Sequence, residues 1–306
     1  MNSASPAAPQ ERSLRVDGTT LAYVERGNPE AEPIVLLHGY LGSYMSWRHH
    51  TQALAETHRV LALDWFGWGR SGTGRTRRYD YDTEVDRLRR VLDALGVGSC
   101  NLFAHDYGGF LALGLAERHP TRVRRLALLN SRAHRTFTPA WVTIFGLAGA
   151  GARLPIVRQI VARLPIGAIH RRGARREFAR GVFTEESFAY AAGWMSKPGG
   201  GRFYVDFFRD YRVRPRADLA RGLPAVSCPT AVIWSRRPYL PVEIGTELAA
   251  AIPNAKLTLV DAGHFVMEER PREVAQALSD LLRTPAHDAH GLVHVDGSPG
   301  KVRLTR

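Results

Sequence analysis

Six short apolar runs alternate with longer stretches of helical spacing, and this rhythm constrains the fold more than any other feature of the 306-residue chain. The runs cover residues 33–39, 58–69, 100–109, 123–130, 230–235 and 255–260. They are continuous rather than alternating, which suits strands buried on both faces. Between them, residues 82–95 place Val85, Leu88, Val91, Leu92 and Leu95 on one helical face. Residues 110–119 read as a helix stopped by Pro120, and 241–251 and 271–282 read as two more. Residues 14–27 read as a hairpin turning at Asp17-Gly18. Strands that alternate with helices predict an α/β fold with a mostly parallel central sheet flanked by helices.

One segment breaks the rhythm. Residues 131–225 show no strand pattern and are rich in Gly, Pro and Arg, so they are expected to form an inserted helical cap, or lid. The core is then 13–130 together with 226–283, with a disordered lead over 1–12 and a tail over 284–306. An apolar content of 44% supports a full core. The longest uncharged stretch, 136–152, contains Pro139 and is too short to span a membrane. The N-terminus lacks the apolar centre of a signal peptide. Cys100 and Cys228 make no disulfide framework, and a cytoplasmic protein is expected.

The chemistry is concentrated in Phe103-Ala104-His105-Asp106-Tyr107-Gly108-Gly109. A small-x-nucleophile-x-Gly turn between strand and helix lifts its central side chain above the sheet, with the helix N-terminus behind it. That central residue is Asp106, and a carboxylate there suits displacement at saturated carbon through an alkyl-enzyme ester. His264, in Asp261-Ala262-Gly263-His264-Phe265, follows the last strand and is placed to activate the water that cleaves the ester. After His38-Gly39, the amide of Tyr40 joins that of Tyr107 as the expected oxyanion hole. His38, His105 and Asp64 are expected to hold loops in place.

These motifs, with 38–50 (HGYLGSYMSWRHH) and 62–72 (ALDWFGWGRSG), make the chain resemble the α/β-hydrolase family. More narrowly, it resembles the branch with an aspartate nucleophile, the epoxide hydrolases and haloalkane dehalogenases. The resemblance runs from about residue 14 to 283 and implies a small-molecule substrate. The mechanism needs no cofactor, and no clustered His/Cys set suggests a metal.

The resemblance also implies an acid that orients the histidine, and both of its usual places lack one. The first reads Trp234-Ser235-Arg236-Arg237-Pro238-Tyr239-Leu240-Pro241, and the second is Asn130. Asn130 takes the role through its amide oxygen, or Glu243 or Asp261 substitutes, or ester hydrolysis is slow. The resemblance further implies lid donors for the leaving group. For an epoxide these are tyrosines, with Tyr204 first and Tyr190 second, and for a halide they are Trp141 or Trp194. The leading expectation is an epoxide hydrolase-like enzyme, and a haloalkane dehalogenase is the alternative. A third is an acid-deficient relative acting as a cyclisation catalyst or small-molecule binder.

Charge adds one more expectation. The net charge of +13 first suggests nucleic acid or a membrane surface. However, residues 131–225 hold 17 basic residues against 6 acidic, and the remainder holds 25 against 23. With no phosphate loop and no aromatic-basic motif, a nucleic-acid role is set aside, and no membrane partner is expected. The basic lid predicts an anionic substrate or an acidic carrier protein.

Overall fold

A computed structural model describes residues 10–73, 78–133, 139–196, 200–211, 217–237 and 240–286. Eight strands form one sheet in the order β1-β2-β4-β3-β5-β6-β7-β8. They are β1 (Gln10–Val16), β2 (Thr19–Arg26), β3 (Pro33–Leu37), β4 (Arg59–Asp64), β5 (Cys100–His105), β6 (Val123–Leu129), β7 (Thr230–Ser235) and β8 (Ala255–Val260). β1 and β2 are antiparallel, β2 meets β4 antiparallel, and every pairing from β4 through β3 to β8 is parallel. The six continuous apolar runs thus become the parallel strands, and β5 and β7 are buried along their whole length.

Helices cover the sheet. Helix Tyr81–Ala94 buries Val85, Leu88, Val91 and Leu92, and its first turn is capped by Asp80, which accepts from Thr83 N at 3.1 Å. Helix Asp106–Arg118 is buried over most of its length. Cys100 and Cys228 are free, buried thiols.

Two boundaries differ from the sequence expectations. Sheet structure starts at Gln10, inside the expected lead, because β1 pairs from Gln10↔Glu25 onward and Arg12 reaches Glu25 at 3.1 Å. The hairpin turns where expected, with positive φ at Asp17 (53°) and Gly18 (73°). The helix expected at 110 begins at Asp106, since Gly108 and Gly109 lie within its first turn rather than in a preceding loop. Residues 1–9, 287–306, Pro238 and Tyr239 lie outside the described residues.

Between β6 and β7 the described residues form helices and no strand. The helices are Pro139–Gly151, Pro155–Val161, Ile166–Gly173, Arg175–Ala179, Glu185–Ala192, Gly200–Asp210 and Ala217–Gly222. Phe203 and Phe207 set their ring edges on Trp68, 5.6 and 6.1 Å between centroids, which seats this segment on the loop after β4. No described helix is long and apolar enough to cross a membrane.

Candidate functional site

The carboxyl ends of parallel strands gather side chains that are distant in sequence. Asp106 follows β5, Asn130 follows β6, Tyr40 follows β3, and His264 follows β8. Asp106 and Asn130 both take left-handed backbone angles, φ 47° and 40°. Such angles cost a non-glycine residue on the order of 1–3 kcal/mol and persist only where the surroundings impose them. At Asp106 the surroundings are tight. A Cβ on Gly39 would sit 2.5 Å from Asp106 Cβ, and one on Gly108 would sit 2.5 Å from the carbonyl of His38. Ser131 Oγ donates to the Asp106 carbonyl at 3.0 Å. The sharp turn therefore holds a buried carboxylate at the head of a helix.

That carboxylate has defined partners. Tyr40 N donates to Asp106 Oδ2 at 2.9 Å, and His264 Nε2 lies 3.9 Å from the same oxygen. Burial pushes the Asp106 carboxyl up. The nearby His264 imidazole, then His105 and the Tyr40 N–H, outweigh burial and hold it below the usual carboxylate range. The Tyr107 amide stands in the first helical turn, where N–H groups have no intrahelical acceptor. Its hydroxyl points the other way and donates to Glu84 Oε2 at 3.0 Å, beside Trp65 Nε1 at 2.6 Å.

Asn130 fixes the His264 loop by its backbone rather than by its ring. Its Oδ1 accepts from Ser235 N at 2.8 Å, and its Nδ2 donates to His264 O at 2.6 Å and Gly263 O at 3.3 Å. An amide flip would set donor against donor and acceptor against acceptor, so the neighbours define the orientation. The amide oxygen expected to take the histidine N–H is thus committed to Ser235. His264 O also receives His105 Nε2 at 3.0 Å. Asp261 faces outward onto Arg237 at 3.3 Å, and Glu243 is exposed in the first turn of helix Val242–Ala251, so neither substitutes.

The expected loop-holders do that work. His38 donates from Nδ1 to Gly39 O at 2.8 Å and accepts Trp65 N at Nε2 at 2.9 Å. Asp64 accepts Tyr44 N at 2.8 Å, Arg70 N at 3.0 Å and the Tyr190 hydroxyl at 2.9 Å. The last bond corrects an expectation. Tyr190 is tied to Asp64 and does not line the cavity over Asp106, because its helix turns it toward the loop after β4.

That cavity, about 330 Å³, is walled by the inserted helices and has Asp106 and His264 on its lining. Its lining is largely aromatic, with Phe183, Phe207, Phe208, Tyr204 and Tyr211. Tyr204 is among the lining residues, as expected, and packs on Phe208 and His170. Trp194 does not line it, since its indole donates to Ala191 O at 3.1 Å, and the Trp141 side chain lies outside the described residues.

Three further lining residues bring polar groups to the cavity. His170 donates from Nδ1 to Ile166 O at 2.9 Å, which leaves Nε2 to accept the Tyr40 hydroxyl at 2.8 Å. Burial holds the His170 imidazole below its usual range. The one sequence signal was spacing, as Ile166, His170 and Ala174 share a helical face. Tyr211 lies under the Arg132 guanidinium, 5.3 Å from its ring, and burial pushes its hydroxyl up to about 12. Glu177 is the third. Among the described residues no Arg or Lys lines the cavity, so the positive charge of the inserted segment faces elsewhere.

Comparison with known proteins agrees with this geometry. Residues 32–271 match the family model described as alpha/beta hydrolase fold. A cis-3-alkyl-4-alkyloxetan-2-one decarboxylase of Shewanella oneidensis is 28% identical over 88% of this chain and 87% of its own. Human epoxide hydrolase 4 is 31% identical over 88% of this chain and 77% of its own. The crystal structure of a Bacillus megaterium epoxide hydrolase in complex with an inhibitor superposes with a TM-score of 0.72 at 21% identity, covering 89% of this chain and 100% of the other. The family match spans most of the chain and agrees with the eight-stranded, mostly parallel sheet, and the chain belongs to the α/β-hydrolase fold family.

Proposed function

We propose that this hydrolase opens a strained cyclic ether or ester, an epoxide foremost, through an alkyl-enzyme ester on Asp106. The observation that carries the reading is the elbow itself, where a buried, ionised Asp106 accepts the Tyr40 N–H and lies 3.9 Å from His264 Nε2. Asp106 attacks a ring carbon, the carbon–oxygen bond breaks, and the released oxygen takes a proton. His264 then removes a proton from water, which attacks the ester carbonyl, and the amides of Tyr40 and Tyr107 receive the oxyanion. Ester cleavage restores the carboxylate and releases a diol from an epoxide, or a hydroxy acid from a cyclic ester.

The cavity wall favours oxygen over halide as the leaving atom. Its lid hydroxyls belong to Tyr204 and Tyr211, and no described indole lines it. Tyr204 is the first donor. The Tyr40 hydroxyl gives its one hydrogen to His170, so it positions the cavity wall rather than protonating the leaving oxygen. The inserted helices act as the lid, and the aromatic lining selects a neutral, apolar substrate over an anion.

A panel of an aryl epoxide, a cis-3,4-dialkyl-2-oxetanone and a 1-bromoalkane tests the reading. Diol formation from the epoxide is expected. Halide release without diol would overturn it for a dehalogenase. Alkene formed only from the oxetanone would overturn it for a decarboxylase like the Shewanella relative.

A further inference from the structure

All the large aliphatic side chains that stand exposed among the described residues fall in one stretch of the inserted helices. They are Leu147, Leu154, Ile156, Ile160, Leu164 and Ile169, between 42% and 75% exposed. Monomeric proteins rarely gather exposed aliphatics in this way without a use for them. Helix Pro155–Val161 turns Arg158 inward onto Asp206 of helix Gly200–Asp210, which leaves Ile156 and Ile160, one turn apart, on its outer face. The corner to the preceding helix is close, for a Cβ on Gly151 would meet Val157 Cγ1 at 3.1 Å.

The same stretch is one-sided in charge. Residues 139–176 contain seven arginines and no aspartate or glutamate. Arg158 pairs with Asp206 and Arg171 with Glu185. Among the described residues no ion pair engages Arg153, Arg163, Arg172, Arg175 or Arg176, and all five are exposed. The cavity over Asp106 reaches this face, since Ile169 both lines it and is 51% exposed.

We propose that this face docks on an anionic lipid bilayer, with the aliphatic side chains in the acyl boundary and the arginines on the headgroups, and admits apolar substrate from the bilayer past Ile169. An anionic bilayer answers both chemistries, because interfacial binding adds buried apolar area to attraction for anionic lipid. An acidic protein would answer the arginines and leave the aliphatics unmatched. A second copy on a twofold axis would bring like charge against like charge. The contact is interfacial, since no described helix is long enough to span.

Co-sedimentation with vesicles tests this by binding alone, so its outcome is independent of the chemistry at Asp106. The full chain is expected to sediment with phosphatidylcholine–phosphatidylglycerol vesicles at low salt, and at least about tenfold less with phosphatidylcholine alone. Replacing Ile156→Glu with Ile160→Glu is expected to weaken binding to the mixed vesicles by at least about tenfold. Both side chains already face water, so the fold is retained, and circular dichroism checks that it is. The second variant, Arg172→Ser with Arg175→Ser, is expected to remove the lipid-charge preference. The proposal is overturned by no sedimentation, by equal binding to both vesicles, or by binding that both variants leave unchanged. It is also overturned by a wild-type dimer in analytical ultracentrifugation that the isoleucine variant dissolves, which would assign the face to a second copy.

Discussion

The hydroxyl of Tyr40 donates to Nε2 of His170 at 2.8 Å, joining the turn beside Asp106 to the inserted helices. One residue thus serves the site twice, because its N–H holds Asp106 Oδ2 at 2.9 Å. Asp106 and the cavity wall are positioned by the same turn.

Because Tyr40 and His170 act through one bond, their substitutions are expected to be non-additive. Tyr40→Phe keeps the backbone N–H and loses only the hydroxyl. It and His170→Phe are each expected to lower kcat/KM by roughly tenfold, and the double variant no more than either alone. A double-mutant cycle with independent effects would show that the bond does not couple them.

Tyr204 and Tyr190 are expected to separate cleanly. Tyr204→Phe removes a cavity hydroxyl and is expected to lower kcat on an epoxide by about 10²-fold, the lower end of general-acid contributions. Tyr190→Phe removes a bond to Asp64 and is expected to cost roughly 1 kcal/mol of stability with kcat unchanged. Steady-state kinetics with denaturant unfolding distinguishes the two, and a kcat loss at Tyr190 would reverse the assignment.

Asn130→Asp restores an acid to a place where the family pattern has one, yet it is expected to harm this protein. One carboxylate oxygen can still accept Ser235 N, but the other faces the carbonyl oxygens of Gly263 and His264. A loss of about 1–3 kcal/mol is expected, because a buried carboxylate oxygen then faces two carbonyl oxygens with no donor between them. Faster ester hydrolysis without loss of stability would show that the aspartate swings to the imidazole.

Acid should destabilise the protein through its buried histidines. Burial lowers His38 and His50 to about 4 and His105 to about 3, and each ring is hydrogen-bonded. The unfolded chain binds a proton at each from its ordinary value near 6.5 downward, while the folded chain does not until its own lowered value. Stability therefore falls as pH drops through this window, by up to about 1.4 kcal/mol per pH unit for each histidine. His50→Gln, outside the cavity lining, keeps a donor for Met267 O and is expected to flatten the slope by one proton. An unchanged slope in denaturant melts between these pH values would contradict the assignment.

The sheet was legible because its parallel strands are apolar on both faces, a pattern that needs no tertiary information. Asp106 and His264 were legible because each sits in a local motif next to a strand end. What could not be read depends on long-range placement. His170 meets Tyr40 across 130 residues, and nothing near either residue signals the other. Tyr190 carried the right chemistry on a helix whose orientation sends it to Asp64. Asn130 stood in a family position, but the direction of its amide is set by Ser235 on the neighbouring strand. Apolar residues such as Ile156 and Ile160 read as packing in a sequence, and only the arrangement of helices leaves them in water.

The central claim, that Asp106 forms the covalent ester, is tested most directly by a single turnover in ¹⁸O water with excess enzyme and an aryl epoxide, followed by peptide mass spectrometry. Water attacks the ester carbonyl in this mechanism, so the label should enter the Asp106 carboxylate, and the first-turnover diol should carry the unlabelled oxygen. Label in the diol and none in Asp106 would show direct attack of water on the substrate and contradict the account.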